Sequence, residues 1–439
     1  MNTTFDMLVR AQCCITQDHE RRVIHDAGIA IDDGVFRAVG PWDELSAHFQ
    51  ARETLDLGAS LVLPGLVNAH THASMTLLRG LADDLPLMQW LTEHIFPVEQ
   101  KLTPELVNLG ARLACAEMLR SGTTCFHDMY LMETAVAEAA DACGLRAVVG
   151  EVIFAFPSPA YADLDAALDL IRAQHERWKD HPRVNVAVMP HAVYTTTPEL
   201  LERTFALAEE LDMPVHMHLS ETTHETDECL EKFGNRPVAY CKGLGLLGPR
   251  LAIAHAVDLE MDEIETLSQA GVHAVHCPES NMKLANGFCR AQRMLDHGVN
   301  VALGTDGAAS NNNLNMFTEM ASAALLQKVH RKDPTVLTAQ TVLDMATVNG
   351  ARAMGLTEVG AIEAGYAADL TALDLTSPNL QPMYNPVSHA VYATAGGDVR
   401  LTMVGGKVLY RDGQFPGMDY DGLLAEIAEA GKWVRDQFK

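Results

Sequence analysis

Leu63-Pro64-Gly65-Leu66-Val67-Asn68-Ala69-His70-Thr71-His72 is the stretch whose reading decides the fold. An apolar run of strand type ends in two histidines at i and i+2. Alternate residues of a strand face the same side, so both imidazoles can leave one strand tip and meet a single metal ion. The Pro64-Gly65 pair suits a bend that feeds the strand into a barrel. Further ligands must then come from later in the chain.

Working outward, strand-like and helix-like stretches alternate in the rhythm of a parallel sheet. Eight strand candidates occupy 61–70, 123–129, 146–154, 184–191, 214–219, 251–256, 272–277 and 299–305. Amphipathic helices fall between them, for example Thr103 to Ser121 and Pro198 to Leu211. Thr197-Pro198-Glu199 reads as a cap with proline at the first helical position. Eight such units over about 290 residues fit a (β/α)8 barrel of TIM type, whose chemistry sits at the carboxyl ends of the strands. The flanks, 1–60 and 360–420, carry short alternating segments and a hairpin signal at Asp32-Asp33-Gly34. They predict one small β-sandwich domain built from both chain ends, around a barrel over 61–359 and before a C-terminal helix over 421–439.

The strand ends are where polar residues matter. Strand one offers His70 and His72, and strand four ends at His191. Strand five carries His218 near its tip with Glu221 just beyond, strand six ends at His255 and strand eight at Asp306. His216 shares a face with His218 but sits deeper, and reads as a core residue. His19, His25, His94, His175, His181, His224, His297 and His330 read as ordinary surface or core histidines.

Composition narrows the function classes. With 439 residues and 48% hydrophobic content the chain can bury a large core. A net charge of −26 argues against nucleic acid, whose phosphates would be repelled. Nine cysteines without a CxxC pair suggest reduced thiols and no cysteine-held zinc. No apolar run is long enough to span a membrane, and Met1 to Asp6 carries no leader signature. A cytoplasmic protein with no membrane partner is expected.

The motifs PGLVNAHTH (64–72), FHDMY (126–130), MPHAVYTT (189–196), HLSET (218–222), AHAV (254–257), CPESNMKLANG (277–287) and GTDGAASNNNLNMF (304–317) carry a resemblance. The chain resembles the amidohydrolase superfamily, in the branch of 5-methylthioadenosine/S-adenosylhomocysteine deaminases and their triazine chlorohydrolase relatives. The resemblance implies one metal ion held by His70, His72, His218 and Asp306, and a homo-oligomer. Three imidazoles and a carboxylate suit Zn2+, and Fe2+ shares this set. Strand four has His191 in place of the lysine that bridges two metals in other relatives, so a mononuclear site follows. Such a site favours deamination or dehalogenation of a heteroaromatic ring over hydrolysis of a cyclic amide or phosphotriester.

The expected reaction is hydrolytic deamination of an adenosine thioether to its inosine analogue and ammonia. The metal acidifies a water to a pKa of about 7, and Asp306 can accept its proton. Glu221 is the natural proton shuttle to the ring, and His255 would polarise the attacking oxygen. The resemblance assigns substrate contacts to Glu99, His191, Glu221 and Asp306; the Glu99 carboxylate suits a ribose cis-diol. Trp90, Met75 and Leu78 are candidates for an apolar wall. Some relatives hold the homocysteine carboxylate with arginines after strand three; here Arg146 lies at the start of that strand, and Phe154, Phe156 and Pro157 at its exit. Methylthioadenosine or adenosine is therefore favoured over S-adenosylhomocysteine. The alternatives on this scaffold are a guanine or cytosine deaminase and a triazine chlorohydrolase. A catalytically silent relative would have lost ligands, and none is lost. A nucleic-acid base deaminase would carry H-x-E…P-C-x-x-C, which is absent.

Overall fold

The computed structural model describes residues 4–437. The leader reading at Met1–Thr3 and the end of the expected C-terminal helix at Phe438–Lys439 lie outside them. Thr4–Ile15, Val23–Asp32, Val35–Pro41, Gln50–Asp56 and Ser60–Pro64 share one eight-stranded sheet with Leu370–Asp374, Val399–Val404 and Lys407–Arg411. Both chain ends thus meet in one hydrogen-bonded layer. Ser60–Pro64 is the seam: it pairs antiparallel with Leu370–Asp374 and parallel with Cys13 and Cys14. Alternate side chains on this sheet, among them Val9, Ile29, Phe36, Val62, Leu370 and Leu401, form a core of their own. The turn at Asp33-Gly34 has φ of 52° and 70° at its two central residues, as a two-residue hairpin of type I′ requires.

Past the seam the strand predicted over 61–70 breaks at Pro64-Gly65 and changes sheets. Gly65 N–H bonds to Asp369 C=O and Leu66 N–H to Gly122 C=O. A Cβ at Gly65 would lie 2.0 Å from Thr124 Oγ1, so only glycine fits against the Thr124 side chain here. The chain then builds two parallel sheets. Leu66–Thr71, Thr123–Tyr130 and Arg146–Ile153 form the first, with Val184–Val186 and Met189–Pro190 both paired to the last of these. Val215–Leu219, Leu251–His255, His273–His276 and Asn300–Leu303 form the second. The strand predicted over 184–191 is divided because Val188 turns to the neighbouring sheet, its N–H donating to Pro214 C=O.

Two junctions join the sheets. Val188 makes an isolated parallel bridge with Val215. At the other side Asp306 N–H donates to His70 C=O at 3.0 Å. There Asn68 Oδ1 accepts from Thr305 N–H while its Nδ2 donates to Thr305 Oγ1. Helices pack outside, and their starts follow the sequence: Thr103 and Thr197 cap Pro104–Arg120 and Pro198–Glu210 by accepting from Leu106 and Leu200 N–H. A last helix spans Tyr420–Gln437. Among the described residues no helix is long and apolar enough to cross a membrane.

Candidate active site

The parallel strands all point their carboxyl ends at one pocket, and the backbone there is bent to serve it. Ser220, His255 and Asp306 have φ of 55°, 73° and 61°. Non-glycine residues in the left-handed region cost about 1–3 kcal/mol each and persist only where the surroundings enforce them. These three lie at or just past the carboxyl ends of strands Val215–Leu219, Leu251–His255 and Asn300–Leu303.

Within the mouth, His70, His72 and His218 bring ring nitrogens within 4.8 Å of one another, and so do His70 and His255 with an Asp306 oxygen. Asp306 Oδ1 stands 3.1 Å from His72 Nε2 and 3.5 Å from His70 Nε2. Its other oxygen accepts from Ser280 Oγ at 2.6 Å and Ser310 Oγ at 2.9 Å. Each of the three histidines is held by Nδ1: His70 to His216 Nε2 at 2.7 Å, His72 to Met129 C=O, and His218 to His191 C=O at 3.0 Å. A carbonyl can only accept, so His72 and His218 carry protons on Nδ1, and Nε2 of each is the nitrogen turned to the cluster.

The electrostatics call for a cation at this point. Burial pushes His70 down to about 4 and His218 well below the usual histidine range, so both are neutral donors. Burial would raise the Asp306 carboxyl, yet the adjacent His70 and His72 rings hold it well below the carboxylate range. His72 is opposed by burial but drawn up to about 9 by Asp306. His70 Nε2 is buried without a hydrogen-bond partner. The neutral imidazoles of His70 and His218, a charged carboxylate and an unsatisfied buried nitrogen fit a divalent ion with nitrogen and oxygen ligands.

Around this cluster stand the other candidates. Glu221 is buried, which raises its carboxyl, and its Oε1 lies 3.8 Å from His255 Nε2. His255 Nδ1 faces Asn281 Oδ1 at 3.0 Å. Burial pushes Glu99 up to about 7, opposed by the adjacent Tyr130 hydroxyl. His191 is pushed down to about 3 by burial; its Nδ1 bonds to Thr195 Oγ1 at 2.8 Å. Thr195 gives its own proton to Ala192 C=O, so Nε2 of His191 is an acceptor. All of these except His70, which lies fully buried behind them, line one pocket with Trp90 and Met75. Leu78 corrects the sequence reading: it is fully buried core and does not reach the pocket wall. Arg146 pairs with Asp369 at 2.9 Å, away from the pocket.

Several residues escaped sequence reasoning. His216, read as plain core, supports His70 directly, and the His127 ring packs against His216 at a tilt of 44° with ring centroids 4.4 Å apart. Ser280, Ser310 and Asn281 buttress Asp306 and His255, and Asn286 Nδ2 donates to Glu221 Oε1 at 2.9 Å. The long motif 277–287 was the available signal, but its spacing alone does not say which side chains turn inward.

Histidines and an aspartate gathered at the carboxyl ends of parallel strands make a site of the metal-dependent hydrolase type. Residues 61–409 match the amidohydrolase family, and the chain belongs to it. A 5-methylthioadenosine/S-adenosylhomocysteine deaminase of Nitratidesulfovibrio vulgaris is 58% identical over 100% of this chain and 99% of its own. The crystal structure of an adenosine deaminase from Xanthomonas campestris with bound zinc is similar at a TM-score of 0.97 and 40% identity, covering 99% of this chain and 100% of that one. The atrazine chlorohydrolase of Arthrobacter aurescens, solved with zinc, shares the fold at a TM-score of 0.90 and 24% identity, covering 97% of this chain and 100% of that one.

Proposed function

We propose that this protein is a metal-dependent aminohydrolase that converts an adenosine thioether to its inosine analogue and ammonia. The observation that carries it is Glu221, a buried carboxyl with raised proton affinity, beside His255 and Asp306 in a pocket backed by the converging rings of His70, His72 and His218. His70, His72, His218 and Asp306 would hold one divalent ion, Zn2+ or Fe2+ by the chemistry of the donors, and the zinc-bound relative from Xanthomonas campestris supports zinc. A bound ion of this kind supplies an acidified water and withdraws charge from the reacting centre.

The chain's own residues do the rest. Asp306 takes a proton from the attacking water while His255 holds that water by a hydrogen bond. As the oxygen joins C6 of the adenine ring, neutral Glu221 gives its proton to the adjacent ring nitrogen. Asp306 then protonates the amino group, the C6–N bond breaks, and Glu221 recovers a proton from the new hydroxyl. The balance is water in and ammonia out. Glu99 accepts from the ribose hydroxyls, and His191 accepts a hydrogen bond through Nε2.

The pocket lining contains Glu99, Glu221 and Asp306 but no lysine or arginine, which supports 5'-methylthioadenosine or adenosine over S-adenosylhomocysteine. The two parallel sheets are read as halves of one (β/α)8 barrel over 61–359, a reading supported by the Val188–Val215 bridge and the Asp306–His70 bond. The flanks 1–60 and 360–420 are read as the small β-sandwich domain. Nine free cysteines among the described residues support a reducing, cytoplasmic setting. Exposed Leu325 and Val329 on helix Met316–Arg331 support contact between copies in a homo-oligomer.

The test is a substrate panel with zinc-loaded protein: 5'-methylthioadenosine, S-adenosylhomocysteine, adenosine, guanine, cytosine and a chlorotriazine, read for ammonia and chloride. Ammonia from the adenosine thioethers, fastest with the methylthio compound, is expected. Chloride release, or ammonia from guanine or cytosine alone, would move the assignment to the other ring hydrolases.

A further inference from the structure

One short segment reaches three of the residues assigned above. Helix Pro278–Lys283 follows strand His273–His276 and stops abruptly, with Asn286 N–H bonded to Asn281 C=O at 3.0 Å and Ala285 at φ 54°. A six-to-one bond around a left-handed residue is a Schellman stop, a place usually given to glycine. The stop folds the chain back over the strand ends. Ser280 donates to Asp306, Asn281 faces His255, and Asn286, itself buried, meets Glu221 at 2.9 Å.

The contact with Glu221 is chemically specific. The amide nitrogen of Asn286 is the atom turned toward it, donating to Oε1. Asn286 Nδ2 and His255 Nε2 both face the same carboxylate oxygen, Oε1. Among the described residues no hydrogen bond reaches Oε2 of Glu221, a residue that lines the pocket. A proton on Oε1 would point at the Asn286 amide, donor against donor. We infer that Asn286 is a positioning residue: it reserves Oε1 as an acceptor, so that the proton Glu221 exchanges with the purine ring rides on Oε2. This rests on the deaminase reading above. In that reaction the Oε2–H bond breaks as the ring N–H bond forms. Oε2 regains a proton from the C6 hydroxyl as ammonia leaves.

Replacing Asn286 by aspartate keeps its volume and removes its donor. The introduced carboxylate would draw the Glu221 proton onto Oε1, between the two acids, and away from Oε2. Replacement by alanine removes the contact without that competition. Steady-state kinetics with 5'-methylthioadenosine are therefore expected to show kcat down about 10-fold in Asn286→Ala and about 100-fold in Asn286→Asp. KM and zinc content by elemental analysis should stay close to wild type in both. A packing role would give the opposite order, because aspartate is the closer fit. Asn286→Ser, which keeps a donor, should likewise outperform Asn286→Leu, which fills the space without one. This second pair decides the matter if the aspartate variant does not fold. Equal or higher kcat in Asn286→Asp than in Asn286→Ala would overturn the inference while leaving the deaminase reading intact. A wild-type protein inactive on every 6-aminopurine nucleoside would remove the reading and the inference with it.

Discussion

The pocket mouth and the outer eight-stranded sheet treat charge in opposite ways. On the sheet, Arg10 meets Asp26 and Arg52 meets Asp6 at the surface, above an apolar layer of Val9, Ile29 and Leu370. Such exposed pairs contribute little to stability, and burial of the apolar layer does the holding. At the mouth, Glu99, Glu221, Asp306, His70 and His218 are all buried, and no lysine or arginine lines the pocket to balance them. Burial there is costly. The sheet is built for stability, whereas the mouth gives up stability to hold a cation and move protons.

Substitutions should separate the two regions. The largest effect is expected for Asp306→Asn, which removes the anionic ligand: metal content should fall to background and kcat by about 10⁴-fold, several kcal/mol of lost charge stabilisation. Glu221→Gln keeps the shape but carries no transferable proton. Turnover should drop about 10³-fold with metal content unchanged, and a normal rate would remove Glu221 from the proton path. His216→Phe withdraws the acceptor behind His70. Chelator competition should show metal affinity weakened about 10–100-fold, as for other partners of metal-bound histidines.

A smaller effect follows from Glu99, whose carboxyl is pushed up to about 7 by burial. Only the ionised form offers both oxygens to a diol, so KM should rise as pH falls through about 7. Glu99→Gln should flatten that dependence, with KM up about 10-fold. Leu370→Ala belongs to the sheet and should show the reverse profile. Its fully buried side chain predicts a loss of about 2–5 kcal/mol in denaturant unfolding. Activity per folded molecule should stay at wild type.

The same contrast explains what the sequence disclosed. The short segments 28–31 and 35–40 and the turn signal between them were readable directly, and they lie inside strands Val23–Asp32 and Val35–Pro41. The parallel strands were found as apolar runs, and their polar termini pointed to His70, His72, His191, His218, His255 and Asp306, which the structure brings together at the mouth. Local pattern could not reveal where a run changes partners. Ser60–Pro64 and Leu66–Thr71 read as one strand because Leu61, Val62, Leu63, Leu66 and Val67 run on across Pro64-Gly65; at the switch Thr124 leaves room for no side chain on residue 65. Nor could it show His216 behind His70, since a histidine facing inward on a strand looks the same whether it packs or bonds. The supports from Ser280, Asn281 and Asn286 depend on how one helix stops, which is a three-dimensional fact.

The most direct test of the central claim is ultraviolet absorbance of 5'-methylthioadenosine mixed with purified protein, before chelation, after chelation and after zinc is returned. The expected result is conversion of the adenine spectrum to that of hypoxanthine with matching ammonia, abolished by the chelator and restored by zinc. An unchanged spectrum with tightly bound metal, or turnover indifferent to chelation in metal-free protein, would contradict it.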